Sequence, residues 1–243
     1  MARLWGALLV VCLFVSLMAN LQLFSGVRHY YSLFLETQLD PLGLKAFPTS
    51  STGKKEKPRV VILGDSRASA WPAPGFWHDG YQVLNRGIGG QTSAQVLGRF
   101  GGHVAHLQPD LVLIQLGLND LKAIGLFPER REEIVAACKA NLTELVRLSR
   151  EQGAVVLLST IFPVGKVPLA RRFVWSDEIS AAVVQMNSFI RSLQTEGVVV
   201  LDAYDFLVGE DGLVKPAYAS DFLHLNAEGY ARLNSELQRL VGM

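Results

Sequence analysis

From Leu4 to Phe24 the chain runs without a charge, and Leu, Val and Phe fall on every face of the helix this stretch would form. About 21 such residues are enough to cross a hydrocarbon core of about 30 Å. Residues 1–24 therefore read as one N-terminal hydrophobic helix, a membrane anchor or signal-anchor whose residues 4–24 lie in the bilayer. A cleaved signal that releases the body is the competing reading, but it lacks a small-x-small cleavage site, since Leu17 precedes Ala19 by two. Residues 25–57 read as a juxtamembrane linker. Its end, Pro48-Thr49-Ser50-Ser51-Thr52-Gly53-Lys54-Lys55, has the small, polar composition of a connector. Arg3 before the anchor and Arg28 after it nearly balance, so charge sets orientation weakly. Analogy to signal-anchors places the body outside the cytoplasm, on the periplasmic face of a bacterial inner membrane.

In the body, residues 58–243, the period changes. Arg59–Leu63, Tyr81–Leu84, Leu111–Leu116, Ala154–Ser159 and Val198–Leu201 are short apolar runs bounded by turn residues, which predicts five buried strands. Residues 129–150, 177–195 and 227–240 carry apolar positions near the helical period, and Gly153 stops the first. Strands alternating with helices predict a mostly parallel sheet covered on both faces, a flavodoxin-like three-layer α/β/α fold. Sites in such sheets lie at the carboxyl ends of the strands.

Composition narrows the functional classes. Lys plus Arg total 23 and Asp plus Glu 22, a net charge of +1, which lacks the basic surplus of a nucleic-acid binder. Two cysteines cannot make a disulfide-stapled scaffold. His103 and His106 form an HxxH pair with no third ligand at suitable spacing, so both read as surface helix residues, and no metal is expected. Gly87-x-Gly89-Gly90 breaks the dinucleotide spacing at Thr92. Asn141-Leu142-Thr143 fits a glycosylation sequon but falls within a predicted helix. Cys138 reads as a helix core residue.

Four blocks fall at predicted strand ends or before the last helix: Gly64-Asp65-Ser66-Arg67, Asn85-Arg86-Gly87-Ile88-Gly89-Gly90-Gln91-Thr92, Gly117-Leu118-Asn119-Asp120 and Asp221-Phe222-Leu223-His224. In this order, over about residues 59–240, they resemble the GDSL esterases, also called SGNH hydrolases. The Gly-Ile-Gly-Gly turn and Asp-Phe-Leu-His-Leu look most similar to the catalytic subunits of intracellular platelet-activating-factor acetylhydrolases. The resemblance implies hydrolysis of a carboxylic ester, short-acyl or acetyl-type, of a lipid or glycan, without metal or cofactor.

The chemistry agrees with these residue types. A serine hydroxyl is a weak nucleophile until a base takes its proton. Ser66 leaves the first strand, a neutral His224 suits the base, and Asp221 three residues earlier can hold the other ring N–H. By the resemblance, the oxyanion hole comprises the backbone N–H groups of Ser66 and Gly90 and the Asn119 amide. Ser66 lies in Gly-Asp-Ser-Arg-Ala and not in a Gly-x-Ser-x-Gly elbow.

Three positions depart from the family pattern: Arg67 for Leu, Gln91 for Asp and Leu118 for Gly or Thr. Arg67 reads either as a contact to an anionic or sugar-rich substrate or as a solvent-facing or ion-paired residue. The basic, aromatic loop Pro163–Trp175 reads as a wall of the pocket, with Trp175 touching substrate, or as a membrane-surface contact. The same constellation also fits an O-acetyltransferase acting on a glycan, and a non-catalytic membrane-tethered binding protein would keep the fold without the chemistry.

Overall fold

The computed structural model describes residues 1–47 and 55–241, so the connector composition at Pro48–Lys54 lies outside the described residues. Two compact units are present, Met1–Gly43 and Leu44–Met243. The first is a single helix, α1, Ala2–Leu39. It continues past Phe24, so residues 25–39 of the stretch read as linker are helical. Two of its polar side chains turn back on the helix: Asn20 donates to the Ser16 carbonyl at 2.8 Å and Thr37 to that of Leu33 at 2.9 Å.

The second unit is built on five parallel strands: β1 Arg59–Gly64, β2 Gln82–Gly87, β3 Leu111–Gln115, β4 Val155–Ser159 and β5 Val198–Leu201, in the order β2-β1-β3-β4-β5. The helices between and after them are α2 Ser66–Ser69, α3 Ser93–Gly98, α4 Phe100–His103, α5 Leu118–Leu121, α6 Arg131–Glu151, α7 Asp177–Ser192, α8 Ala203–Leu207 and α9 Ala227–Val241. All five expected strands form, with ends shifted by at most a few residues.

Strand periodicity explains the layers. Val61 and Leu63 of β1, Val112 and Ile114 of β3 and Val156 and Leu158 of β4 point into one core, where α6 and α7 bring Cys138, Leu142, Ile179 and Met186. Their neighbours Val60, Ile62, Leu113 and Leu157 point into the other, against Ala203, Leu207, Leu233 and Leu237 of α8 and α9. Burying each large side chain contributes roughly 1.5–3 kcal/mol, and both faces need covering, which is why these strands are apolar without alternation.

After β2 the chain crosses back over β1 to form β3, and this reversal opens a crevice at the carboxyl ends of β1 and β3. Gly64 ends β1 there at φ +152°, and a Cβ on it would lie 1.7 Å from the Gln115 carbonyl oxygen. Gly153 has φ +79° but open space where its Cβ would stand. Gly64→Ala is therefore expected to cost more than about 4 kcal/mol or to abolish folding, whereas Gly153→Ala should cost about 1 kcal/mol. Urea unfolding followed through the buried Trp71 and Trp77 measures both; similar losses would mean that the β1–β3 approach tolerates a methyl group.

Candidate active site

The crevice holds the four sequence blocks. Asp65 caps α2, its Oδ1 accepting the Arg67 N–H at 2.9 Å, and this turn sets Ser66 at the first helical position. Asn85 ties the turn to β2, donating to the Ala68 carbonyl at 2.9 Å while its Oδ1 accepts the Gly87 N–H at 2.8 Å. Ser66 Oγ lies 2.9 Å from His224 Nε2, and His224 Nδ1 lies 2.8 Å from Asp221 Oδ2. Asp221 Oδ1 also accepts the N–H groups of Leu223 at 2.6 Å and His224 at 2.8 Å. Burial alone would raise the Asp221 pKa, but these bonds outweigh it and hold the carboxyl below the usual range. An ionised Asp221 accepts a hydrogen bond from Nδ1–H, which leaves Nε2 unprotonated and free to accept from Ser66.

On the other side of Ser66, Gly90 adopts φ +77°, a conformation that favours glycine. Asn119 Nδ2 donates to the Gln91 carbonyl at 3.0 Å and weakly to Asp65 Oδ2 at 3.4 Å. Among the described residues the backbone N–H groups of Ser66 and Gly90 donate to no protein atom. Unspent donors beside a nucleophile are what a developing oxyanion requires, and the second Asn119 hydrogen, held only by the long Asp65 contact, is available to join them. These groups line a cavity of about 230 Å³ with Arg67, Leu118, Lys122 and Leu223. Among the described residues no three His, Cys, Asp or Glu side chains cluster as metal ligands.

Arg67 is buried and does not face solvent. Its Nε donates to the Leu223 carbonyl at 2.8 Å and an Nη to that of Phe162 at 3.0 Å, with the guanidinium 5.2 Å from the Phe162 ring. It thus braces the His224 loop from beneath. Burial pulls its pKa down to about 10, against the pull of Asp65, Tyr230 and Asp221. Trp175 is absent from the lining residues and packs edge-on to Phe222 at 5.7 Å, on the same loop. Gln91 accepts from buried Arg99 at 2.5 Å, and Arg99 also donates to the Gly64 carbonyl at 3.0 Å, clamping the Gly90 turn to the end of β1.

His103 is not a surface residue. It is buried, accepting at Nδ1 from Arg99 at 3.4 Å and donating from Nε2 to the Leu44 carbonyl at 3.2 Å. Desolvation lowers its pKa, consistent with that neutral tautomer. His106 is exposed as expected. Asn141 also serves the fold: it donates to Ser93 Oγ at 2.9 Å, and Ser93 donates to Asp120 through both its N–H, at 2.8 Å, and its hydroxyl, at 2.5 Å.

Sequence reasoning missed Asp65, Lys122 and Arg99. Lys122 follows Asn119 by three residues, which puts the two on one helical face and was a usable signal. Asp65 is buried, and desolvation raises its pKa to about 6 despite the opposing pull of Arg67 and Lys122. The folded chain thus holds this proton more tightly than the unfolded one, and the resulting stability is lost as pH rises through about 6. Between about pH 4 and 7.5, wild type should lose about 2–3 kcal/mol relative to Asp65→Asn, read from urea midpoints. A pH-independent difference would mean that Asp65 titrates normally.

Residues 55–232 match the GDSL-like Lipase/Acylhydrolase family. The chain is 27% identical over 192 residues to the platelet-activating factor acetylhydrolase IB subunit alpha2 of Homo sapiens, covering 77% of this chain and 78% of that one. It is 28% identical over 133 residues to an arylesterase of Vibrio mimicus, covering 49% of this chain and 62% of the relative. The structure of a GDSL-like lipase from Bacteroides thetaiotaomicron shares the fold with a TM-score of 0.64 at 24% identity, over 83% of this chain and 98% of that one. The chain belongs to the GDSL-like lipase and acylhydrolase family, enzymes that cleave ester bonds.

Proposed function

We propose that this chain hydrolyses short-acyl, acetyl-type esters of a lipid or glycan through a covalent Ser66 acyl-enzyme. The observation that carries the reading is the Asp221–His224–Ser66 chain of bonds, at 2.8 and 2.9 Å, opening on a cavity of only about 230 Å³ walled by Leu118 and Leu223. A cavity of that size with two bulky apolar walls admits a short acyl group more readily than a long one. The acetylhydrolase relative is consistent with that choice.

In the first step Ser66 Oγ attacks the ester carbonyl as His224 Nε2 takes the hydroxyl proton. The carbonyl oxygen gains the electron pair and meets the Ser66 and Gly90 N–H groups and Asn119 Nδ2. Collapse breaks the ester C–O bond, and His224 gives its proton to the departing alkoxide. A water then repeats the sequence: His224 takes its proton, the acid leaves, and Ser66 Oγ is reprotonated. Asp221 stays ionised throughout, which stabilises the imidazolium formed in each half.

We also assign α1 as a membrane anchor, with the second unit outside the cytoplasm. Its apolar window has a mean hydropathy of 2.3, and Trp5 stands about 38 Å along the helix axis from Tyr30 and Tyr31, a spacing suited to two interfacial girdles.

Asn119→Ala should lower kcat for an aryl acetate by about 10²–10³ with little change in KM, since the donor acts on the transition state. An equal loss of thermal stability and activity would make Asn119 structural. The chain should stay with membranes through alkaline carbonate and be digested by protease added to spheroplasts but not to intact cells. A soluble product beginning near residue 25 would mean a cleaved signal.

A further inference from the structure

Of the eight large apolar side chains that the described residues of the second unit leave exposed, four stand in two segments near the cavity, and these include the three most exposed. Leu126 is 60% exposed and Phe127 45%, on the turn after α5; Leu169 is 79% exposed and Phe173 80%, on the short 3-10 helix Leu169–Val174. The two segments touch, because a Cβ on Gly125 would lie 2.2 Å from the Val174 carbonyl oxygen. Folding gains nothing from exposing four such residues together, and grouped apolar exposure of this kind marks an interaction surface.

Charge says what the surface meets. Residues 163–176 hold three basic side chains, Lys166, Arg171 and Arg172, and no acidic one, whereas Arg130 and Arg131 on the neighbouring segment are paired with Glu133, Glu132 and Glu178. The whole chain is nearly neutral, at +1, so the bias is local. Apolar side chains interleaved with Arg171 and Arg172 suit a bilayer carrying anionic headgroups, where the first enter the acyl boundary and the second face phosphates. A protein partner would not by itself require the positive charge.

The surface also adjoins the reaction site. Lys122 lines the cavity, and Arg171 is close enough to depress its pKa further, after desolvation. Trp175, at the end of the 3-10 helix, packs on Phe222, two residues before His224. We infer that Leu126, Phe127, Leu169 and Phe173, with Arg171 and Arg172, dock the cavity mouth onto an anionic membrane surface, so that the ester it receives is one resident in that membrane. This inference rests on the membrane-anchor and ester-hydrolase readings above.

The test uses the full chain reconstituted in phosphatidylcholine vesicles with and without phosphatidylglycerol. A polarity-sensitive dye is placed at Phe173→Cys or, as control, Val184→Cys of α7, each in a Cys12→Ser background; the remaining Cys138 is buried. The dye at 173 should shift to the blue and be quenched by brominated lipid in the anionic vesicles, more than in neutral ones and more than at 184. The double variant Leu169→Ser/Phe173→Ser should turn over a vesicle-borne acetyl ester about tenfold more slowly, with less than a twofold change on a water-soluble acetyl ester. Water-like emission at 173 in a chain that floats with the vesicles overturns the docking surface, as do equal losses on both substrates. A blue shift that grows with protein concentration in detergent and is absent on vesicles assigns the patch to a second copy of the chain instead. Failure to float overturns the anchor, and inactivity of the wild type on the soluble ester overturns the hydrolase reading.

Discussion

The carboxyl ends of β1 and β3 come together so closely at Gly64 and Gln115 that no side chain fits between them. The rest of the site follows from that contact. Because β1 stops there in a conformation that favours glycine, Asp65 can turn inward as a cap and Ser66 emerges over the sheet. Because β3 stops at the same level, Asn119 emerges beside it, close enough for its amide to meet both Asp65 and the carbonyl of Gln91. Ser66 and Asn119, the proposed nucleophile and oxyanion donor, are thus placed by sheet register, and the His224 loop and the Gly90 turn need a separate device.

That device is buried positive charge that forms no ion pair among the described residues. Arg67 holds the Leu223 and Phe162 carbonyls under the His224 loop, and Arg99 holds the Gly64 carbonyl and Gln91 beneath the Gly90 turn. Desolvating a guanidinium is costly, and both pKa values fall to about 10 in consequence. What the arginines provide is several donors in a rigid fork, enough to lock two loops that have little regular structure of their own. Gln91 and Arg67, the two departures from the family pattern nearest the reacting atoms, both take part in this bracing.

The sequence made the sheet legible because strands buried on both faces carry runs that no surface element does, and helices α6, α7 and α9 follow the helical period within a few residues. The blocks that hold Ser66, Gly90 and Asn119 follow strands and that of Asp221 and His224 precedes the last helix, but their proposed roles as one set came from the resemblance to the GDSL esterases. The supporting residues were not legible. Whether Arg67 faces water or the core depends on which carbonyls lie beneath it, a tertiary fact that carries no local signal. His103 read as a surface residue because its HxxH pair lacked a third ligand, yet Leu44 and Phe47 from a segment read as linker cover it. The helical continuation to Leu39 was missed for a similar reason: Arg28, His29 and Glu36 end the apolar run without ending helix propensity.

The central claim is that Ser66 is activated by His224, and the most direct measurement is intact-mass spectrometry of the chain after fluorophosphonate treatment, with the modified peptide mapped. The account predicts one adduct, on Ser66, that forms far more slowly in His224→Ala. An unmodified, demonstrably folded wild type, or an adduct that forms equally fast without His224, would contradict it.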